Sequence, residues 1–150
     1  MSVVPIAQAA PRTTFDWVAP DDVTLIWDLI LPGLEAVSQH GDHWRTEDVY
    51  LSLRQGQAAL HLAFVDGQYG GFLVTLPSRG FDGPVLHVWA VYAVPRMRRV
   101  HEECFKKLRE LADSIKARRI TFTSPRKGWE RLGEKFGFTP TLTIFECEVD

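Results

Sequence analysis

The chain is predicted to be an α/β protein of the α+β kind, with a central mixed, mostly antiparallel sheet flanked by helices in the order α-α-β-β-β-α-β-α-β. Three observations carry that expectation. The stretch "AALHLAFVDGQYGGFLVTL" alternates apolar and polar residues on either side of Asp66-Gly67, as an antiparallel hairpin requires. After Pro95 the apolar period changes from that of a strand to that of a helix, with Val100, Cys104, Leu108, Leu111, Ala112 and Ile115 on one stripe. Two amphipathic helical stretches precede the hairpin, and a β-run, a short helix and a last β-run follow the long helix. With 150 residues and 45% hydrophobic content, one core is expected.

Residues 1–15 are small, aperiodic and Pro-containing, which predicts an N-terminal tail ahead of a single domain over 16–150. In "PDDVTLIWDLILPGLEAVSQHG" Asp21 or Asp22 caps a helix whose stripe holds Leu25, Leu29 and Ile30. Pro32 should stop or kink it, with a restart through Leu34 and Val37. Thr46 can cap a second helix with Val49, Tyr50 and Leu53 inward. In the hairpin, Leu60, Leu62 and Phe64 face the core with Phe72, Val74 and Leu76, and His61 takes the exposed phase. A loop, "PSRGFDGP", leads to a third β-run from Val85 to Val94 that is apolar on both faces. His87, Trp89 and Val91 share one face, and Leu86, Val88, Ala90 and Tyr92 the other, so this strand should lie centrally. The long helix carries Glu102–Lys106 and Glu103–Lys107 pairs on its polar side. "RRITFTS" returns as a strand with Ile120 and Phe122 inward. A short helix after Pro125 holds Trp129, Leu132 and Phe136, and "PTLTIFECEV" ends the chain as a strand with Phe145, Cys147 and Val149 on one face.

The net charge of −2 hides a segregation: residues 1–95 sum to −6, residues 96–135 to +7, and residues 136–150 to −3. A local basic segment in an acidic protein suits an anionic ligand, a protein contact or a solvated helix face, and nucleic acid is the weaker expectation. No apolar run approaches a membrane span and no leader pattern begins the chain, which predicts a cytoplasmic protein. Cys104 and Cys147 fall at apolar phases and are expected as buried free thiols. "HGDHW" offers His40, Asp42 and His43 without a second ligand set at metal spacing.

Two marks then matter: the strand-Pro-Arg-helix junction "VYAVPRMRR" and the helix exit "WERLGEKFGF" with Gly137-Phe138. With the element order, they make residues 20–149 resemble the GNAT superfamily of acetyl-CoA-dependent N-acetyltransferases. The resemblance implies that the strand around Trp89, Val91 and Val94 pairs with the pantetheine arm of acetyl-CoA. The turn through Arg96, Met97, Arg98, Arg99, Val100 and His101 then takes the pyrophosphate. That turn has no glycine, but Arg96, Arg98 and Arg99 can meet phosphates by charge-assisted hydrogen bonds. The family's usual general-acid Tyr corresponds to Gly133, with Arg126 and Trp129 at the neighbouring motif positions, so Tyr92 or Ser124 would have to protonate the thiolate. His87 is the candidate base, having an ordinary pKa in the right range.

Two functions follow. One is acyl transfer from acetyl-CoA to an amine. The other is a non-catalytic GNAT-fold structural or interaction protein, similar in size and in its missing motifs to small bacteriophage GNAT-like proteins of the virion or of assembly. This second reading would place the protein in a virion or host cytoplasm, contacting another protein chain through residues 1–15 and the 96–119 basic surface.

Overall fold

A computed structural model describes residues 10–39, 43–124 and 133–149. Its sheet has five strands in sequence order: β1 (Thr13–Val18), β2 (Ala59–Val65), β3 (Gln68–Gly80), β4 (Gly83–Ala93) and β5 (Arg119–Phe122). The first four are antiparallel, and β5 joins β4 in parallel after the crossover helix α3 (Arg99–Ser114). Helices α1 (Val23–Ser38) and α2 (Thr46–Arg54) cover the opposite face. Two apolar clusters result. Ile30, Leu34, Val49, Leu53, Leu60, Phe72 and Val74 fill the α1/α2 side, while Leu73, Leu86, Val88, Val100, Cys104, Phe105 and Leu108 fill the α3 side.

The element order departs from the expected one at both ends. Thr13–Phe15 are not tail but the start of β1, which pairs with β2 from Thr13↔Val65 to Val18↔Leu60, so a strand precedes both helices. The signal was "TTFDWV", a short alternating run of β-branched and aromatic residues that can pair with the free side of the hairpin. At the other end, residues 139–149 form no strand, and Leu142, Phe145, Cys147 and Val149 are exposed rather than inward. The short helix is described only at 133–135, and Arg126, Trp129 and Leu132 lie outside the described residues, as do His40 and Asp42.

Helix α1 runs through Pro32 without a break in assignment. The buried Ile30, Gly33 and Leu34 hold the two sides of the proline to one surface, and this packing outweighs the hydrogen bond that Pro32 cannot donate. Its inward stripe is Val23, Ile30 and Leu34, with Ile26 and Val37 half-buried. The expected members Leu25 and Leu29 are exposed, Leu25 at 81%. In α2, Arg45 rather than Thr46 is the cap residue, and its N–H donates to the Asp48 carboxylate at 2.8 Å. Val49 and Leu53 are buried as expected, with Tyr50 half-buried against them.

The β2–β3 hairpin forms at Asp66-Gly67, with φ of 49° and 83°. "PSRGFDGP" is not a loop: β3 and β4 pair as far as Gly80↔Gly83, leaving only Phe81 and Asp82 at the turn. Asp82 is fixed there by Arg119, at 2.8 Å and 3.2 Å, and this guanidinium holds its carboxyl below the usual range. His61 is not exposed but 7% accessible, because α3 covers the side of β2 that the hairpin alone leaves open. On α3, Lys106 and Lys107 bond Glu103 and Glu110 instead of the partners expected four residues earlier, and Glu102 pairs with Lys135 across the α3 surface. Cys104 is buried as expected, and burial pushes its thiol up to about 12.

Candidate functional site

Strand β4 contains the feature that organises the site. Val74 pairs with Ala90 and Thr75 with Val88, so Trp89 is an extra residue without a partner on β3, a β-bulge. Strict alternation would keep His87, Trp89 and Val91 on one face. The bulge instead shifts the phase: Leu86, Val88, Val91 and Ala93 all join the α3 cluster, while Trp89, Ala90 and Tyr92 join the α1/α2 cluster. His87 pairs with Leu76 of that same cluster. Two candidate residues that alternation assigns to opposite faces, His87 and Tyr92, therefore share one.

The bulge also lies where the sheet opens. Parallel pairing of β4 with β5 runs only from Val85↔Arg119 to Val88↔Phe122. From Trp89 to Ala93, β4 has no strand partner on that side among the described residues. A cleft of about 680 Å³ occupies the gap. His87, Trp89, Val91, Tyr92 and Ser124 all line it, so five of the nine residues singled out in the sequence meet in one cavity. His87 Nδ1 lies 2.9 Å from Thr121 Oγ1, a contact made by the His87↔Thr121 register. Tyr92 stacks on the fully buried Phe72, with centroids 5.6 Å apart. Ser124, just beyond β5, is exposed at the rim.

The cleft passes through the sheet. On the α3 side it meets His101, Phe105 and Phe122, and on the α1/α2 side Val37, Gln39, Trp44 and Leu76. Gly137, with φ of 86°, ends the short helix; Phe138 N–H returns to Gly133 O at 2.8 Å and its ring turns back to within 5.0 Å of Phe122. Thus the Gly-Phe exit backs Phe105 and Phe122, two rings that line the α3 side of the cleft. Trp44 and Phe105 escaped the sequence reading. Phe105 adjoins Cys104 on the stripe, but nothing in the spacing ties Trp44 to β4.

The arginine turn is arranged differently. Val94 N–H donates to Gly70 O at 2.8 Å, and Val94 O accepts from Met97 N–H at 2.7 Å. Val100 N–H and His101 N–H are taken by Met97 O and Arg98 O, which tightens the start of α3. The amides of Arg98 and Arg99 carry none of these turn bonds. Their side chains and that of Arg96 are exposed and line a second cavity of about 640 Å³, together with Glu102, Glu103, Lys106 and residues 10, 11 and 13. The two carboxylates there are neutralised by lysines: Lys135 holds the Glu102 carboxyl below its usual range, and Lys106 bonds Glu103 at 3.2 Å. No ion pair among the described residues engages Arg96, Arg98 or Arg99.

Other groups offer less. Among the described residues no cluster of three or more His, Cys, Asp or Glu could hold a metal, and His43 pairs with Glu146. No described helix is long and apolar enough to cross a membrane.

Neither a protein-family profile nor a curated relative matches the sequence. Solved structures do match. A ribosomal-protein-alanine N-acetyltransferase from Brucella melitensis biovar Abortus 2308 superposes with a TM-score of 0.70 at 15% identity, covering 93% of this chain and 100% of its own. The aminoglycoside acetyltransferase AAC(6')-Iy, in complex with a CoA bisubstrate analogue, gives 0.68 at 15% over 93% and 99%. A predicted acetyltransferase with acetyl-CoA from Clostridium acetobutylicum gives 0.66 at 13% over 91% and 96%. These identities speak to architecture alone, and on architecture they agree: the chain has the GNAT acetyltransferase fold.

Proposed function

We propose that the protein is an acetyl-CoA-dependent N-acetyltransferase whose reaction takes place in the cleft between β4 and β5. The observation that carries this reading is the coincidence of the Trp89 bulge with the end of β4–β5 pairing, which leaves one edge of a central strand facing a cavity. The residues fit the cofactor. The open edge from Trp89 to Val91 suits an amide-bearing pantetheine arm, and Arg96, Arg98 and Arg99 at the start of α3 suit its phosphates. Solved neighbours of this fold carry acetyl-CoA or CoA.

Acetyl-CoA supplies the acyl group as a thioester. On the chain's side, His87 accepts the proton of the incoming ammonium, with Thr121 fixing the ring through its 2.9 Å contact. The amine nitrogen would then form the new C–N bond as the C–S bond breaks, Tyr92 or Ser124 would give a proton to the departing sulfur, and the second proton that the nitrogen sheds on becoming an amide would restore that hydroxyl. Positioning in a cleft walled by Trp89 and Phe105 does the rest, without covalent catalysis.

Titration calorimetry with acetyl-CoA tests the reading. Micromolar binding, weakened about tenfold or more by Arg98→Ala, is expected from loss of one charge-assisted phosphate contact. No heat at millimolar cofactor would remove the hypothesis.

A second reading, a GNAT fold serving as an interaction module, draws on one observation. The amides of Met97, Val100 and His101 are satisfied within the turn, so the turn is stable without an anion. In that case residues 1–15 and the 96–119 basic surface, with Arg96, Arg98 and Arg99 exposed on it, would meet another protein chain.

A further inference from the structure

The tip of the β3–β4 hairpin is braced yet presents an uncovered aromatic ring. Gly80 pairs with Gly83, and the Arg119 guanidinium grips the Asp82 carboxylate at 2.8 Å and 3.2 Å. Arg118 Nε donates to Asp82 O at 3.1 Å, and Arg118 N–H donates to Pro84 O at 2.8 Å. Phe81, between these fixed points, is fully exposed. An aromatic ring on a rigid turn loses little freedom on entering an apolar seam, which suits it to anchor an interface. Its surroundings are basic. Arg79, opposite Pro84 across the hairpin, is exposed, as are Lys116 and Arg118 in the turn before β5; Asp82 is answered by Arg119, which leaves Asp113, beside Lys116, as the carboxylate of that turn.

Helix α1 offers the complement. Leu25, Leu29, Pro32 and Ala36 follow the four-three-four spacing of one helical face, and all four are exposed, Leu25 at 81% and Leu29 at 42%. Asp28 and Glu35, two turns apart, flank this stripe, Asp21 and Asp22 stand at its N-terminal end, and α1 contains no Lys or Arg. Because Phe81 and Leu25 are both uncovered in the single chain, the tip is not seated on its own α1. We propose that the Phe81 tip of one copy docks on the Leu25–Leu29 stripe of a second copy, with Arg79, Lys116 and Arg118 facing Asp21, Asp28 and Glu35. An apolar anchor then meets an apolar seam, and a basic rim meets an acidic one. Made in both directions about a two-fold axis, the contact closes a dimer. This association does not depend on the transferase reading.

Sedimentation of the full chain across a concentration series reads the association. A dimer forming at micromolar concentration is expected, weakened about tenfold or more by Phe81→Ala, by Leu25→Ser, and by raising salt from about 0.05 M to about 0.5 M. Both substitutions fall on exposed side chains, so circular dichroism should show the fold unchanged. Mixing the variants separates tip-to-stripe docking from other geometries. Phe81→Ala keeps the stripe and Leu25→Ser keeps the tip, so an equimolar mixture should regain one of the two contacts and associate more tightly than either variant alone. A chain that stays monomeric to about 1 mM overturns the proposal, as does an association unmoved by either substitution. A mixture no tighter than its parts overturns it too, because the contact would then be tip on tip or stripe on stripe. Binding of a monomeric chain to phosphatidylserine vesicles through Phe81 would equally overturn it, assigning the tip to a membrane surface.

Discussion

Replacing Gly33 by Ala offers a test whose sign is decided by the structure. In an exposed helix interior this change stabilises by about 1 kcal/mol, because alanine loses less backbone freedom than glycine on folding. Here a Cβ at position 33 would sit 2.5 Å from Tyr92 Cδ1, 2.8 Å from Tyr92 Cγ and 2.8 Å from Phe72 Cε1. Ordinary carbon contacts are about 3.5–4.0 Å, so something must move by about 1 Å. Phe72 is fully buried and cannot retreat, and Tyr92 is stacked against it. Either α1 lifts or the Tyr92 ring tips towards the cleft. Overpacking costs about 1–3 kcal/mol, and three contacts under 3.0 Å place this site in the upper half of that range, so against a propensity gain of about 1 kcal/mol the net loss is about 1–2 kcal/mol. Urea denaturation monitored by circular dichroism should show the midpoint falling at unchanged slope. The double variant Gly33→Ala with Tyr92→Ala should lose less than the sum of the single changes, by about 1 kcal/mol, because the clashing ring is gone. A Gly33→Ala protein more stable than the parent would refute the close approach of α1 to β4, and with it the account of how Tyr92 is held.

Further outcomes are expected elsewhere. His61 is buried with no hydrogen-bond partner for its Nδ1 among the described residues, and burial, aided by Lys107, pulls its pKa below 6.5. The unfolded chain therefore takes up a proton there before the folded one does, and this contribution to stability, full above pH 6.5, is lost as pH falls through the folded value. His61→Leu should leave stability at pH 7 equal or higher and flatten its decline between pH 7 and 5; an unchanged slope in denaturation series would count against the assignment. Phe105→Ala should cost about 3–5 kcal/mol, since this ring, 3% exposed, contacts Phe122, Phe136 and Phe138 together. A loss below about 1 kcal/mol in thermal or urea unfolding would mean that the 133–138 segment does not dock on α3.

What could be read from the sequence divides along a physical line. Short-range signals were reliable: Asp66-Gly67 needs only its own backbone angles to form the turn, and Val100, Cys104 and Leu108 need only helical spacing to share a face. Long-range competition decided the rest. Pro32 reads as a helix break until the apolar surface on both sides of it is known to be buried, and His61 reads as exposed until α3 is laid over β2. The site was legible as a list of residues but not as an arrangement. His87 and Tyr92 share one face of the sheet because a bulge, set by pairing with β3, changes the phase of β4, and alternation in β4 alone gives no hint of it. Trp44 approaches Trp89 only through tertiary packing, the two lying 45 positions apart in the chain.

The bulge at Trp89 makes the length of this strand part of the chemistry. One surplus residue acts as a half-step in a two-step screw, so the lower end of the strand presents its even-numbered apolar residues to the long helix and the upper end its odd-numbered ones. Removing Trp89 itself would restore perfect alternation with Tyr92 still opposite Phe72, whereas flattening the bulge with every residue kept would carry Tyr92 to the far surface. The upper half of the strand keeps its facing only while the surplus residue is looped out or absent.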